Sequence, residues 1–213
     1  RCMSAQRRAR LIDLSLEHGF LIVADEVYQS LHYFNDPPPA FGTMIGSDTV
    51  LSVGSFSKIL SPAMRLGWIQ TGPKLRTRLV QSGFVTSGGS ISHYSSHTVR
   101  HAIDLGLQEA HVKNLRRAYR ARVETMAETL RIHLGDLATW QRPDGGYFFW
   151  VRLDEGIDTA AYRERARENR TGFQPGSLFS SDGRFANFLR LSFAHYNEGE
   201  IREGIARIRN AFL

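Results

Sequence analysis

The feature that most constrains this chain is Phe20-Leu21-Ile22-Val23-Ala24, an unbroken apolar run that stops abruptly at Asp25-Glu26. A continuous run this short suits a β-strand buried on both faces, as strands of parallel sheets are. Just before it, Leu11, Ile12, Leu14 and Leu16 lead into His18-Gly19, which reads as a helix over 5–18 closed by a glycine C-cap. Helix, tight turn, buried strand and acidic strand end, in that order, predict an α/β sheet. In such sheets ligands gather at the carboxyl ends of the strands.

The pattern repeats and then changes. After a loop with Pro37-Pro38-Pro39, Thr49 to Val53 is a second strand-like run, ending at Gly54-Ser55-Phe56-Ser57-Lys58; Leu66-Gly67-Trp68-Ile69 is a third. From about residue 108, Leu115, Ala118, Tyr119, Val123, Met126 and Leu130 recur at helical spacing up to Gly135, giving one long amphipathic helix. Beyond it, residues 145–151 form a turn and an aromatic strand, and 187–194 another strand. Asn197 with Glu200 opens a closing helix that carries Ile201, Ile205, Ile208 and Phe212 on one face. The expected organisation is an α/β unit, mostly parallel, over 1–112 and a small α+β domain over 113–213.

Composition removes several classes. A single cysteine, Cys2, excludes an internal disulfide framework, and no run approaches the ~18 apolar residues of a membrane helix. Lysine and arginine number 27 against 21 acidic residues. The basic excess lies in the helix-like stretches Arg7-Arg8-Ala9-Arg10 and 116–122, which read as solvated helix surface in preference to a polyanion-binding face. No nucleic-acid partner and no membrane is expected.

The chemistry-bearing residues sit at the predicted strand ends. Lys58, just past a buried strand, can be partly desolvated, which frees a neutral amine to attack a carbonyl. Ser55, Ser57 and Arg65 together can bind a phosphate through hydroxyl donors and a two-pronged guanidinium. Asp25 is a candidate partner for a cationic ring nitrogen, and Tyr28 can bring a phenol to the same ligand. Singly, an aspartate after a strand more often caps a turn and a lysine is usually solvated. The ordered set of acid, phenol, amine and phosphate cradle is what pyridoxal 5'-phosphate (PLP) requires.

Ala24-Asp25-Glu26-Val27-Tyr28, Ser55-Phe56-Ser57-Lys58 and Arg65-Leu66-Gly67-Trp68 together resemble the signature of class I/II, fold-type I aminotransferases. The resemblance continues through Gly145-Gly146-Tyr147-Phe148-Phe149-Trp150, Gln174-Pro175-Gly176-Ser177 and Asn187 to Phe193, with details similar to the 2-aminoadipate-type branch. It implies that Lys58 is the Schiff-base lysine and shuttles a proton at the substrate Cα. Asp25 keeps the ring nitrogen protonated, Tyr28 bonds the phenolate oxygen, and Ser55, Ser57 and Arg65 hold the phosphate. Arg190 clamps the substrate α-carboxylate. The implied reaction is amino transfer between an amino acid and a 2-oxo acid in a cytoplasmic homodimer.

The family's Asn-Pro-x-Gly turn has no counterpart, which marks the chain as a C-terminal fragment expected to bind PLP poorly and to catalyse little alone. Two other readings share the same residues: the effector domain of a helix-turn-helix transcription regulator, and a sister PLP lyase. The amino-acid substrate does not follow from the sequence. His93, His97 and His101 share a helical face, but the glutamate of a metalloprotease motif is absent, so no metal is expected. Asn169-Arg170-Thr171 is taken as a chance glycosylation triplet, and Ser87-Gly88-Gly89-Ser90 reads equally well as a flexible loop near the site or as a simple turn.

Overall fold

The Ser4 side chain accepts a hydrogen bond from the Arg7 backbone N–H (3.3 Å) and starts helix α1, Ala5–His18. The helix stops at Gly19, whose φ of 71° lets its N–H bond back to the Ser15 carbonyl. The computed structural model describes residues 2–88 and 92–213. By contact density the chain forms two units, Arg1–Arg116 and Arg117–Leu213.

In the first unit α1 is followed by strands β1 (Ile22–Asp25), β2 (Val50–Ser55) and β3 (Gly67–Thr71). Helices α2 (Pro73–Val80), α3 (Gly83–Thr86) and α4 (His93–Asp104) come next, and α5 (Leu107–Leu134) runs across the division between the units. The sheet order is β1-β2-β3. β1 and β2 are parallel from Ile22↔Val50 to Asp25↔Val53, and β2 and β3 antiparallel from Leu51↔Thr71 to Ser55↔Gly67.

One expectation is corrected. β1 is not buried on both faces: Ile22 packs with Phe41, Val50, Leu11 and Ile12, whereas Val23 is 67% exposed. Successive side chains point to opposite faces, and β1 is the edge of the sheet, with α1 covering one side only among the described residues.

The reading of the arginine runs as solvated surface also fails at three positions. Arg8 is 6% exposed; its guanidinium donates to Glu26 Oε1 (3.2 Å) and the Pro39 carbonyl (2.8 Å) and lies over the Phe41 ring. Arg116 Nε donates to the Ser30 carbonyl (2.8 Å), and Arg122 Nη1 to the Ala194 carbonyl (2.6 Å). Their partners lie far off in sequence, so spacing could not reveal them.

Antiparallel pairing sets Gly54 opposite Trp68, and a Cβ at Gly54 would lie 2.1 Å from the indole ring. Gly54→Ala is therefore expected to push the indole off the strand and away from Phe56, 4.8 Å distant between ring centroids. The cost should be about 1–3 kcal/mol by thermal melting, with a shifted Trp68 indole N–H resonance.

The loop after β1 is held by Leu31 and Tyr33, both buried, and by the Arg116 bond. Burial lowers the His32 pKa, with the nearby Arg116 charge adding to the effect and Asp36 opposing it. The folded state thus favours neutral His32. Its contribution to stability is complete above the ordinary imidazole pKa of about 6.5 and declines as pH falls below it toward the lowered folded value. An NMR titration should find the His32 midpoint below the ordinary imidazole value of about 6.5, and a midpoint at or above it would contradict the assignment.

The second unit contains β4 (Ala138–Trp140), β5 (Phe148–Leu153), α6 (Arg163–Glu168), β6 (Gln174–Pro175), β7 (Phe188–Ser192) and α7 (Glu198–Phe212). The antiparallel order is β4-β5-β7-β6. Phe149, Val151, Leu189 and Leu191 are buried, as are Val123, Met126 and Leu130 on α5 and Ile201, Ile205 and Ile208 on α7. Strand alternation sends Phe148, Trp150, Phe188 and Arg190 to the other face. The Asn197–Glu200 capping box forms as expected, with bonds of 3.0 and 2.8 Å.

Candidate functional site

Parallel pairing makes β1 and β2 finish at the same edge of the sheet. Asp25 ends β1, and β2 runs two residues past the Asp25↔Val53 pair to Ser55. Neighbouring strands lie about 4.8 Å apart, so the segments beyond both ends open onto one edge. The turn after β2 carries Lys58, half-buried, and returns as β3, with the Phe56 N–H bonded to the Leu66 carbonyl (3.0 Å).

Asp25 is exposed, and its Oδ1 approaches the Val27 N–H at 3.4 Å in the turn that also carries half-buried Tyr28. Ser55, Ser57 and Arg65 gather at the β2–β3 turn. The Ser57 N–H donates to Ser55 Oγ (3.1 Å), and Arg65 Nη1 donates to Ser57 Oγ (3.4 Å) and the Pro62 carbonyl (3.2 Å). Arg65 has φ 48°, a left-handed conformation costing a non-glycine residue about 1–2 kcal/mol. It follows the 3-10 turn Pro62–Met64, and the side chain turns back onto Ser57. At Gly67 a Cβ would meet the Gly54 carbonyl oxygen at 2.7 Å, so this close strand approach needs glycine. Two hydroxyls and an exposed guanidinium on one turn suit a tetrahedral oxyanion.

Beneath this edge lies a residue to which sequence reasoning gave no role. Glu26 accepts from the Phe41 N–H (2.9 Å), the Gly42 N–H (3.1 Å), Ser52 Oγ (2.8 Å) and Arg8 Nη1 (3.2 Å). Its own N–H donates to the Val53 carbonyl (2.9 Å), extending the β1–β2 ladder. Asp25 and Glu26 are adjacent acids whose side chains take opposite directions: Glu26 turns inward and is tied down, and Asp25 faces out. The pair Asp25-Glu26 was a visible signal, but only the strand alternation separates their tasks.

Arg190 belongs to the second unit, on β7, where it pairs with Trp150 on one side and Gln174 on the other. Its Cζ lies 4.1 Å from the Phe148 ring centroid and 4.4 Å from that of Phe179. Trp150 packs against Phe179, Phe185 and Phe188 at 5.4–5.8 Å. β6 begins at the Gln174↔Arg190 pair, and a cavity of about 810 Å³ is lined by Gln174, Arg190, Ser192 and Tyr196 among others. Phe148 and Phe179 were missed; the aromatic run 147–150 was visible, but only as a strand.

On α4, His93 and His97 bring their Nε2 atoms to 3.3 Å; among the described residues no group of three or more potential metal ligands gathers. Of the loop expected at 87–90, Gly89 and Ser90 lie outside the described residues. No helix among the described residues is long and apolar enough to cross a membrane.

Residues 3–208 match the family model for aminotransferase class I and II. The chain is 31% identical, over 97% of its length, to aromatic-amino-acid aminotransferase 1 of Thermococcus litoralis, of which it covers 49%. It is 30% identical over 95% of its length to the uncharacterized HTH-type transcriptional regulator YisV of Bacillus subtilis, covering 41% of that protein. Among solved structures it is similar to LysN, the α-aminoadipate aminotransferase of Thermus thermophilus complexed with N-(5'-phosphopyridoxyl)-L-leucine. There the TM-score is 0.85 at 29% identity, covering 96% of this chain and 53% of that one. The chain spans about half the length of the relatives it matches.

Proposed function

Because this chain belongs to the class I and II aminotransferases, we propose that it is the lysine-bearing half of a PLP-dependent transaminase. The observation that carries this reading is the shared strand edge: Asp25 ends β1, while Ser55, Ser57, Lys58 and Arg65 cluster after its parallel neighbour. The donor set fits the cofactor, with an amine for an aldehyde, a carboxylate for a ring nitrogen, a phenol for a phenolate and two hydroxyls plus a guanidinium for a phosphate. Once bound, PLP supplies an aldehyde that condenses with amines and a ring that withdraws electrons from the substrate Cα.

Lys58 Nζ provides the resident amine and then carries the proton at Cα. Asp25 holds a proton on the ring nitrogen by presenting a negative charge to it. Tyr28 Oη hydrogen-bonds the phenolate oxygen, and Ser55, Ser57 and Arg65 anchor the phosphate. Arg190 meets the α-carboxylate with parallel N–H bonds. The active form is a cytoplasmic homodimer acting on an amino acid and a 2-oxo acid, in the 2-aminoadipate-type branch.

The test uses the full-length protein with PLP, borohydride reduction and peptide mass spectrometry. A reduced pyridoxyl adduct on Lys58 is expected, and an adduct elsewhere or none would overturn the assignment. The likeness to an HTH-type regulator supports a second reading, an effector domain that captures PLP without turnover. Amino transfer from an amino acid to a 2-oxo acid separates the two.

A further inference from the structure

We propose that Phe148 and Phe179 are specificity-determining positioning residues that hold the Arg190 guanidinium edge-on, so that the site takes flat carboxylates in preference to tetrahedral acids. The inference rests on Arg190 as the carboxylate clamp. A guanidinium is planar, and all five of its N–H bonds lie in that plane. In the strand order β5-β7-β6, Phe148 comes from β5 and Phe179 from the 3-10 turn Gly176–Phe179 after β6, so the two rings reach Arg190 from opposite flanks. Ring centroids at 4.1 and 4.4 Å from Cζ are well inside the ~6 Å range of cation–π attraction. The neighbouring Trp150 ring, 5.6 Å from that of Phe179, backs the second wall.

In the proposed sandwich the two rings cover the guanidinium faces, which leaves the in-plane N–H edge for a ligand. A carboxylate places both oxygens in that plane and forms two parallel bonds. A phosphonate or sulfonate carries a third oxygen out of the plane, toward ring faces whose quadrupole is negative. The sandwich therefore selects by geometry as well as charge. Arg190 has lost its freedom to tilt, and a tilt is what a tetrahedral acid would need.

The experiment compares an amino-acid substrate with its α-aminophosphonate analogue on full-length protein, measuring kcat and KM for the first and inhibition by the second. Phe179→Ala, at an exposed position, should raise KM for the amino acid several-fold to about thirtyfold, the cation–π attraction expressed as a ratio. The effect on kcat should be smaller, the carboxylate-over-phosphonate preference should shrink, and Phe179→Tyr should restore both. Phe148→Leu should act in the same direction. Independently of turnover, the Arg190 Nε–H resonance should broaden in Phe179→Ala as guanidinium rotation is freed. An unchanged preference and resonance in Phe179→Ala would overturn the sandwich. An unchanged KM in Arg190→Ala would instead overturn the clamp assignment on which it rests.

Discussion

Lys58→Ala is expected to abolish covalent capture of PLP and to lower turnover by at least about 10²–10⁴-fold, the range a positioned proton carrier contributes on its own. Lys58 follows β2 by three residues, in a turn tied back by the Phe56–Leu66 backbone bond and flanked by Ser55 and Ser57. On the proposed assignment, losing the amine removes both the condensing group and the base at Cα, whereas Ser55, Ser57 and Arg65 remain. Lys58→Ala should thus still bind the cofactor, weakly and without the Schiff-base absorbance. Lys58→Arg sharpens the test, because a guanidinium keeps the positive charge but is not deprotonated and cannot condense. If either variant kept the absorbance and wild-type turnover, position 58 would not be the amine.

The second large effect concerns stability. Glu26→Gln should cost about 3–5 kcal/mol, because Arg8 stays buried with its charge uncompensated. Side-chain exposure is 8% for Arg8 and 9% for Glu26, so water cannot replace the lost partner. The carboxylate also serves the Phe41 and Gly42 N–H groups and Ser52 Oγ. An amide offers one acceptor oxygen and turns donor hydrogens toward groups that are themselves donors. Against a typical total of about 5–15 kcal/mol this is a large fraction, visible as a fall in the urea midpoint. A double variant with Arg8→Met should recover part of the loss, since the charge is removed while an apolar stem is kept over Phe41. A loss below about 1 kcal/mol in Glu26→Gln alone would rule out this network as a structural anchor. The same variant should weaken cofactor binding, because Glu26 fixes the turn from which Asp25 projects.

Much of the scaffold was legible before any coordinates. Gly19 ends α1 because its left-handed φ suits a residue without a Cβ, and the Asn197–Glu200 spacing announces the start of α7. The apolar runs marked all three strands of the first unit to within a few residues. The placing of a lysine, an aspartate and two serines at strand ends was legible because chain order and strand ends are local information. The exposure of Val23 could not, since a continuous apolar run records what a strand can tolerate and not what covers it.

By itself, then, the chain's sequence determined where helices and strands begin and end and which chemical groups stand at the strand ends, because turns, caps and periodicity act over a few neighbouring residues. Only the tertiary structure decided that Arg8 is a buried counter-ion to Glu26, 18 residues away, and that Arg190 lies between two aromatic rings. Those pairings depend on which strands become neighbours. Sheet order is settled by the burial of whole faces, and no local spacing encodes it.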